Sequence, residues 1–270
     1  MSVSAPTRAT EFNGRPETLS PAAEVERSNK KVKVGLCLLV WNEIDGCRQD
    51  IPNLNLESFD EVFALDGGST DGTIEFLESV GLEVVRQNRR GYDWAYIEAF
   101  QRTTCDALIL YHPKGTVDPE TIHNVGAALQ QGFDLVIASR NAKGARNEED
   151  SQFLKPRKWF VLALSAVTAA IWWRGRGPVV WDVLHGFRGM RRDAFFVMNP
   201  VAHSLSMDLQ MVVRSYRMGL TRVEVPIREG SRLSGSTHFK ALPTGIKLLK
   251  YIWVELRRAK PQDFKRGQTA

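Results

Sequence analysis

The sequence predicts an α/β fold in which a mostly parallel sheet carries helices on both of its faces. Apolar runs of strand length alternate with helical segments of about 10–15 residues, which is the pattern of repeated βαβ units. Several of the apolar runs end in polar or charged residues. In an open parallel sheet such residues meet beyond the carboxyl ends of the strands, where these folds bind their ligands.

The first half of the chain supplies five of the predicted strands. They are the apolar runs "KVKVGLCLLVW", "EVFALD", "LEVVRQ", "DALILY" and "FDLVIAS", at 31–41, 61–66, 82–87, 106–111 and 133–139. The segments between them predict helices over 69–80, 92–103 and 118–132, the last of which opens on Asp-Pro and closes on Gly132. The segment that begins at Asn42 is polar and is assigned no element.

The pattern changes after Arg140. A polar loop leads to an apolar segment over 159–173, followed by a predicted helix near 206–218, a strand over 222–227 and a basic C-terminal helix. Residues 1–30 are polar and lack the apolar core of a signal peptide, which predicts a disordered tail. We therefore expect a tail (1–30), one folded domain (31–235), and a basic amphipathic helix with its own tail (236–270).

Polar side chains at the predicted strand ends are the first candidate site residues. They are Asn42, Glu43, Asp66, His112, Lys114 and Arg140. Asp66 is expected to accept hydrogen bonds from a nucleobase or ribose, and the alternative is that "LDGGSTDGT" is only a well-formed helix cap. Lys114 lies in the basic cluster His112-Pro113-Lys114, which predicts a negatively charged ligand at this point of the rim, the edge of the sheet where the strands end.

The charge is divided unevenly along the chain. Residues 1–150 hold 15 Lys and Arg against 24 Asp and Glu, a net charge of −9, whereas residues 151–270 hold 21 against 7, a net charge of +14. A basic half indicates a partner with phosphates: a nucleotide, an anionic membrane surface or a nucleic acid. The nucleic acid is disfavoured, because the cations accompany apolar helices rather than stacking aromatics. Three scattered cysteines provide no disulfide framework and indicate a reducing compartment.

Two apolar segments in the basic half predict contact with a membrane surface. Residues 159–173 are flanked by Trp and then by cations, but they fall short of the ~20 apolar residues that span a bilayer. In the C-terminal helix, apolar residues form one face: Leu242, Ile246, Leu249, Trp253 and Leu256. Such helices are typical of a peripheral membrane protein on the cytoplasmic face. The alternative is that they are buried against the domain or against a second copy of the chain in a homodimer.

A family resemblance rests on seven motifs in order. They are "LLVWNE", "FALDGGSTDGT", "RRGYDWA", "LVIASRN", "DVLHGFRGMRRDAF", "VEVPI" and "REGSRLSGST". This series resembles the family 2 nucleotide-sugar glycosyltransferases with the Rossmann-like GT-A fold, over about residues 32–255. Within them it is most similar to the dolichyl-phosphate-mannose-synthase-like and polyprenyl-phosphate glycosyltransferases.

The resemblance implies roles for particular residues. Glu43 and Asp66 would hold the nucleoside, with Asn42 beside them. Arg140 and Arg232 would contact phosphate groups of the donor or acceptor. The sugar and acceptor pocket would be lined by Asp182 and by the turn Gly186-Phe187-Arg188. If the reaction uses a base at all, Asp182 is the one residue that we nominate for it.

The chain departs from the family most clearly at residues 112–114. The family carries Asp-x-Asp there, whose carboxylates hold Mg²⁺ or Mn²⁺ against the donor diphosphate, and this chain carries His112-Pro113-Lys114. Without carboxylates the ion lacks its oxygen ligands, which disfavours Mg²⁺ or Mn²⁺ as a cofactor and leaves no metal ligands to name. A lysine can instead meet phosphate oxygens directly. Lys114 is therefore expected to take part in catalysis, with His112 as a further phosphate contact.

The expected activity is an inverting transfer of a sugar from a nucleoside-diphosphate sugar to a membrane lipid (polyprenyl) phosphate or a related acceptor. Such an acceptor is already ionised, so that no strong general base is needed. The alternative is a catalytically inactive glycosyltransferase-like module that binds a nucleotide at the membrane, and the His-Pro-Lys sequence is the observation in its favour.

Overall fold

The structure is a computed structural model that describes residues 31–151, 153–202, 206–230 and 241–258. The described residues form seven β-strands and eight α-helices. Of residues 148, 151 and 241–243 only the backbone is described. The tail at 1–30 and the chain after 258, for which we predict disorder and a basic tail, lie outside the described residues.

All seven strands join one sheet in the spatial order β3-β2-β1-β4-β6-β5-β7. Neighbours are parallel except that β6 runs antiparallel to both β4 and β5. The strands are β1 Val34–Val40, β2 Glu61–Asp66, β3 Glu83–Arg86, β4 Ala107–Tyr111, β5 Leu135–Ser139, β6 Arg188–Arg191 and β7 Arg222–Pro226. The prediction of a mostly parallel sheet is confirmed.

The helices cover both faces of this sheet, as the alternating pattern predicts. They are α1 Ile44–Asp50, α2 Thr73–Ser79, α3 Tyr92–Arg102, α4 Glu120–Gln130, α5 Pro156–Trp172, α6 Arg192–Val197, α7 Met207–Met218 and α8 Ala241–Arg257. Alternate residues of β1 point to opposite layers: Leu36 and Leu38 pack with α1, α2 and α4, whereas Cys37 and Leu39 pack with α3, α5 and α7. Because both layers are closed, β1 is buried along its whole length.

Three elements were absent from the sequence prediction: helices α1 and α6 and strand β6. Helix α1 occupies the polar segment after Asn42, and its one buried apolar side chain, Cys47, fixes it to the layer below. Strand β6 contains two arginines in four residues and shows no apolar alternation. Arg188 enters the interior because Asp208, on α7, lies 3.2 Å from its Nε. A long-range ion pair of this kind leaves no local signal.

Helix α2 begins four residues later than the sequence predicts. The residues before Thr73 form a turn instead, because side chains capture its backbone N–H groups. Asp66 accepts from Gly68 N and Ser69 N, and Asp71 accepts from Thr73 N. This turn follows Asp66, the last residue of β2, and forms part of the candidate site.

The sequence predicts that α5 and α8 contact a membrane surface. In the structure each of these helices has one face buried in the core and one face exposed. In α5, Val161, Leu164 and Trp172 are buried in the core, whereas Trp159 and Val167 are exposed. In α8, Leu248, Tyr251 and Ile252 are buried, whereas the predicted apolar face is exposed at Ile246, Leu249, Trp253 and Leu256. In the described part of the chain, no helix has the length and apolar character that crossing a membrane requires.

Candidate active site

The carboxyl ends of β1, β2, β4 and β5 lie along one edge of the sheet, since all four strands run in the same direction. This edge brings together the loops that begin at Asn42, Gly67, His112 and Arg140. The loops that follow β1 and β2 are tied to each other. Asn42 Oδ1 accepts from Thr70 N at 2.8 Å, and Asn42 N donates to Ser69 Oγ at 2.9 Å. Together these two loops form one wall of the candidate site.

Asp66 is fully buried at the base of this wall. Its Oδ2 accepts from Gly68 N at 2.7 Å, and its Oδ1 accepts from Ser69 N at 3.0 Å. The carboxylate therefore shapes the Gly67-Gly68 turn, as the cap interpretation expects. Glu43 is tied to the start of α2, where its backbone N donates to Thr73 Oγ1 at 3.1 Å. Whether Asp66 and Glu43 also contact a nucleoside stays a prediction.

Two arginines that the sequence analysis did not assign lie over the same turn. A Cβ built on Gly68 would be 3.6 Å from an Nη of Arg90 and 3.8 Å from an Nη of Arg86. Arg86 is the last residue of β3, and Arg90 comes four residues later. Because β3 is parallel to β2, it ends at the same edge of the sheet. The cluster "RQNRR" after a predicted strand was the available signal. The rim thus carries cations on the β3 side as well as at Lys114.

The loop His112–Gly115 leaves β4 at the middle of the edge. Its backbone lies against α1 at Gly46, where a Cβ would be only 2.1 Å from the Pro113 carbonyl oxygen and 2.7 Å from Lys114 Cα. No residue other than glycine fits there without displacing the loop. Lys114 itself is half-buried at the rim.

His112 packs against a buried polar cluster. Its ring is stacked on that of Tyr92, with the centroids 5.8 Å apart. Tyr92 Oη donates to Asp208 Oδ2 at 2.8 Å, and Asp208 is paired with Arg188. A Cβ on Gly186 would lie 2.5 Å from Tyr92 Oη and 3.0 Å from His112 Nε2. The turn Gly186-Phe187-Arg188 therefore borders the loop that contains Lys114.

Asp208 and Tyr92 were missed by the sequence analysis. Asp208 stands in the first turn of α7, where an acidic residue is expected simply as a partner of the helix dipole. Burial raises the pKa of Asp208, and Arg188, Tyr92 and Tyr96 oppose that shift without cancelling it. Tyr92 and Asp208 are far apart in the sequence, so only the fold reveals the cluster.

Arg140 and Asp182 form an ion pair at the end of β5. Arg140 donates to Asp182 through Nε at 2.8 Å, through an Nη at 2.9 Å and through its backbone N at 2.9 Å. A further Nη lies 3.6 Å from Glu229. Burial favours the neutral carboxyl, but the charge and hydrogen bonds of Arg140 outweigh it and lower the pKa of Asp182. An ionised carboxylate that accepts from three such donors is a weak proton acceptor.

The histidine of the neighbouring turn does not contribute a cation at neutral pH. Burial and the charge of Arg140 lower the pKa of His185 to about 3, against the opposing effect of Asp182. Its Nδ1 lies 2.5 Å from the Ala138 carbonyl oxygen. His185 is therefore neutral beside the Arg140–Asp182 pair.

The remaining predicted site residue, Arg232, lies outside the described residues. The chain enters that segment from β7, where Gly230 N donates to the Thr116 carbonyl oxygen at 2.7 Å. Gly230, the last described residue before that segment, thus lies beside the loop that contains Lys114. Within the described ranges, no three His, Cys, Asp or Glu side chains converge as metal ligands do.

Comparison with known proteins points to one family. Residues 41–196 match the family described as glycosyl transferase family 2. A glycosyltransferase of Haloferax volcanii, AglJ, is 28% identical over 237 residues, which cover 84% of this chain and 73% of that protein. A dolichol-phosphate mannosyltransferase of Pyrococcus furiosus is 23% identical over 240 residues, which cover 82% of this chain but only 64% of that protein.

Solved structures support the fold assignment. Glucosyl-3-phosphoglycerate synthase from Mycobacterium tuberculosis, in complex with Mn²⁺, uridine diphosphate and glucosyl-3-phosphoglycerate, superposes with a TM-score of 0.63 at 17% identity, over 94% of this chain and 88% of that one. The same enzyme with Mn²⁺ and UDP-glucose gives a TM-score of 0.60 at 18% identity, over 94% and 87%. At this level of identity the likeness shows the fold, which is the GT-A fold that the motifs predict.

Proposed function

The chain belongs to glycosyl transferase family 2, and on that premise we propose that it moves a sugar from a nucleoside-diphosphate sugar to a membrane lipid phosphate. The observation that carries the proposal is the carboxyl edge of the sheet, where the wall formed by the first two loops and a set of cations meet. The similar synthase binds UDP-glucose, which supports the donor class. The relative that acts on dolichol phosphate supports the acceptor class.

The proposed reaction is a single displacement with inversion. An oxygen of the acceptor phosphate attacks the anomeric carbon, the bond from that carbon to the donor diphosphate breaks, and the nucleoside diphosphate leaves with the electron pair. A phosphate acceptor is ionised at neutral pH, so no proton has to be removed before the attack. Asp182 is then better placed to hold Arg140 than to act as a base, because both of its oxygens accept from that arginine.

The proposal divides the rim between nucleoside and phosphates. Asn42, Glu43 and Asp66 lie on the wall formed by the first two loops, which is proposed to receive the nucleoside. Arg140, with Arg232 beyond the described residues, is proposed to meet the acceptor or donor phosphates. Glycosyltransferases that lose a diphosphate must stabilise the charge that develops on it, and fixed cations at this edge provide that stabilisation.

At residues 112–114 the side chains do not fit a divalent ion. Mg²⁺ and Mn²⁺ prefer carboxylate and other hard oxygen ligands, and a lysine ammonium cannot act as a ligand. We therefore propose that Lys114 meets the leaving diphosphate directly and that His112 supports it from its stack on Tyr92. The alternative function, an inactive module that binds nucleotide without turnover, is favoured by the same residues.

A transfer assay separates the two functions. The intact chain, a panel of nucleoside-diphosphate sugars and a short polyprenyl phosphate are incubated with and without EDTA, and the glycosylated lipid is measured. We expect turnover with one donor, and we expect it to persist in EDTA. Thermal shifts with the same donors but no lipid product from any of them would support the inactive module.

Attachment to an anionic membrane surface is proposed from the exposed faces of α5 and α8. These faces are adjacent, since a Cβ on Gly245 would lie 3.7 Å from the Phe160 ring. Cations accompany the exposed face of α8, and Arg257 lies over the Trp253 ring. At the start of α5, Lys155 and Lys158 are paired with Asp150, which offsets their charge. A cytoplasmic membrane face and a homodimer remain proposals of the sequence analysis.

We expect Leu249→Glu to weaken binding to vesicles that contain anionic lipid by about tenfold, because it removes an exposed apolar contact and adds a repelled charge. Vesicle flotation measures the effect, and rising salt should weaken binding by the parent chain. Deleting the helix would be a poorer test, since Glu255 of α8 pairs with the buried Arg214 and Arg217.

The matched control for this test is Val80→Glu. Val80 is also exposed, but it follows α2 on the opposite face of the sheet. The Val80→Glu variant should float with vesicles as the parent chain does. Equal loss in both variants, or binding by the parent that does not respond to salt, would contradict the assignment of α8 to the membrane.

A further inference from the structure

A buried carboxylate at the end of α1 touches the loop that contains Lys114. Asp50 is 1% exposed. Its Oδ2 accepts from Tyr111 Oη at 2.7 Å and from Gly115 N at 3.0 Å, and the carboxylate also accepts from the backbone N of Lys114. One side chain therefore holds residues on both sides of the tripeptide His112-Pro113-Lys114. The sequence analysis gave Asp50 no role.

The conformation of the loop explains why a side chain has to hold it. Gly115 adopts a positive φ of 66°, so the loop turns sharply after Lys114. Pro113 has no N–H, which leaves the amides of Lys114 and Gly115 as the donors of this turn. Both of those amides point to Asp50. The carboxylate thus takes the place that a backbone acceptor would take in a regular turn.

Helix α1 supports the loop at a second point. Gly46 is one helical turn before Asp50, on the same side of α1. Its missing side chain lets the Pro113 carbonyl and Lys114 Cα approach to contact distance. One side of α1 therefore shapes the loop by close approach at Gly46 and by hydrogen bonds at Asp50.

The loop and the end of α1 border a common cavity. Residues 115–119 line this open cavity of about 300 Å³ together with Gln49, Asp50, Asn53, Arg228 and Gly230. A loop that borders a cavity has fewer packing contacts to hold it, so its hydrogen bonds to Asp50 matter more for its order. Burial raises the pKa of Asp50, and the donors of the loop oppose that shift, so the buried carboxylate depends on the loop as well.

We propose that Asp50 is a positioning residue that fixes the loop 112–115 and thereby presents Lys114 to the donor diphosphate. The second half of this statement rests on the proposed function. Asp50 does not touch the donor in this assignment. It acts through the backbone amides of Lys114 and Gly115 and through the hydroxyl of Tyr111.

The test compares Asp50→Ala, Asp50→Asn and a control, Asp134→Ala. Asp134 is 3% exposed and accepts from Thr221 N and Thr221 Oγ1 at 2.8 Å, but it precedes β5 at the opposite edge of the sheet. Two measurements are made at a temperature where all variants are folded. One is hydrogen exchange at the amides of Lys114 and Gly115 without ligand, and the other is the affinity for a nucleoside diphosphate relative to its nucleoside.

We expect Asp50→Ala to speed exchange at both amides by about tenfold or more and to weaken the diphosphate by about tenfold, with the nucleoside unchanged. Asp50→Asn keeps one carbonyl acceptor for Tyr111 and Gly115, so it should retain most of both properties. Asp134→Ala should lower the stability of the fold without changing the amide exchange rates or the affinity for the diphosphate. If Asp50→Ala does not fold, Tyr111→Phe removes one of the three donors and should still speed exchange about threefold.

Each failure has a separate meaning. Unchanged exchange in Asp50→Ala, or in Tyr111→Phe, would overturn the inference whatever the ligands do. Faster exchange with an unchanged ratio of diphosphate to nucleoside affinity would overturn the link to the diphosphate. A parent chain that binds no nucleoside diphosphate would refute the proposed function, while the exchange rates would still decide whether Asp50 holds the loop.

Discussion

Lys114→Ala should weaken the binding of nucleoside diphosphates and their sugars by about ten- to a hundredfold while the bare nucleoside binds as before. The lost contact is a charge-assisted one to phosphate oxygens, and such contacts contribute about 1.5–3 kcal/mol. Isothermal titration with a matched nucleoside and nucleoside diphosphate measures the difference. Because no ion is held at 112–114 in this assignment, the parent's affinity should be the same in EDTA.

Two comparisons make this result specific. Lys33→Ala removes an exposed lysine at the opposite edge of the sheet, before β1, and should leave both affinities unchanged. Replacing residues 112–114 by Asp-Ala-Asp should make diphosphate binding depend on Mg²⁺ or Mn²⁺. If binding by the parent disappears with EDTA and returns with Mn²⁺, Lys114 is not the group that meets the diphosphate.

Asp182→Ala should lower the free energy of unfolding by about 3–5 kcal/mol, because it leaves the Arg140 guanidinium with much less compensation in a mostly buried position. Urea denaturation at neutral pH measures the loss. The double variant Asp182→Leu, Arg140→Met removes both charges and should recover a large part of the stability. A base role for Asp182 expects the opposite pattern, in which turnover is lost and stability is little changed.

The same ion pair sets a dependence on pH. The pKa of Asp182 is lowered in the folded state, since Arg140 stabilises the carboxylate more than burial destabilises it. Its contribution is therefore fully present above the ordinary pKa of an aspartate, about 3.9, and is lost as the pH falls through the lower pKa of the folded state. Asp182→Asn should flatten this part of the acid unfolding curve, and an unchanged curve would contradict the pairing.

The sequence predicted those parts of the fold that have a local cause. Strand β2 was predicted at its observed bounds because "EVFALD" is apolar, and the direction of the strands follows from the helices between them. Helix α1 and strand β6 were missed because each depends on a distant partner. For β6 that partner is Asp208, which lets Arg188 be fully buried.

The candidate site divides in the same way. Asn42, Asp66 and Lys114 could be placed on one edge from the sequence, because strand ends meet there in any parallel sheet. What each side chain does at that edge was not predictable. The pairing of Arg140 with Asp182 and the stack of His112 on Tyr92 join residues that are far apart in the chain. The edge on which a side chain lies follows from the topology of the sheet, whereas its contact partners are known only from the folded structure.

The antiparallel strand β6 has a consequence for how this chain emerges from the ribosome. Strands β4 and β5 are not neighbours, since β6 lies between them and pairs with both. A nascent chain that has not yet reached Arg188 therefore leaves one edge of β4 and both edges of β5 unpaired, because β7 is also still missing, and unpaired strand edges are sites of aggregation. Closure of the sheet is a late and non-local step, so folding should be slow and should benefit from a chaperone. A fragment that ends before residue 188 should aggregate rather than fold into a smaller domain.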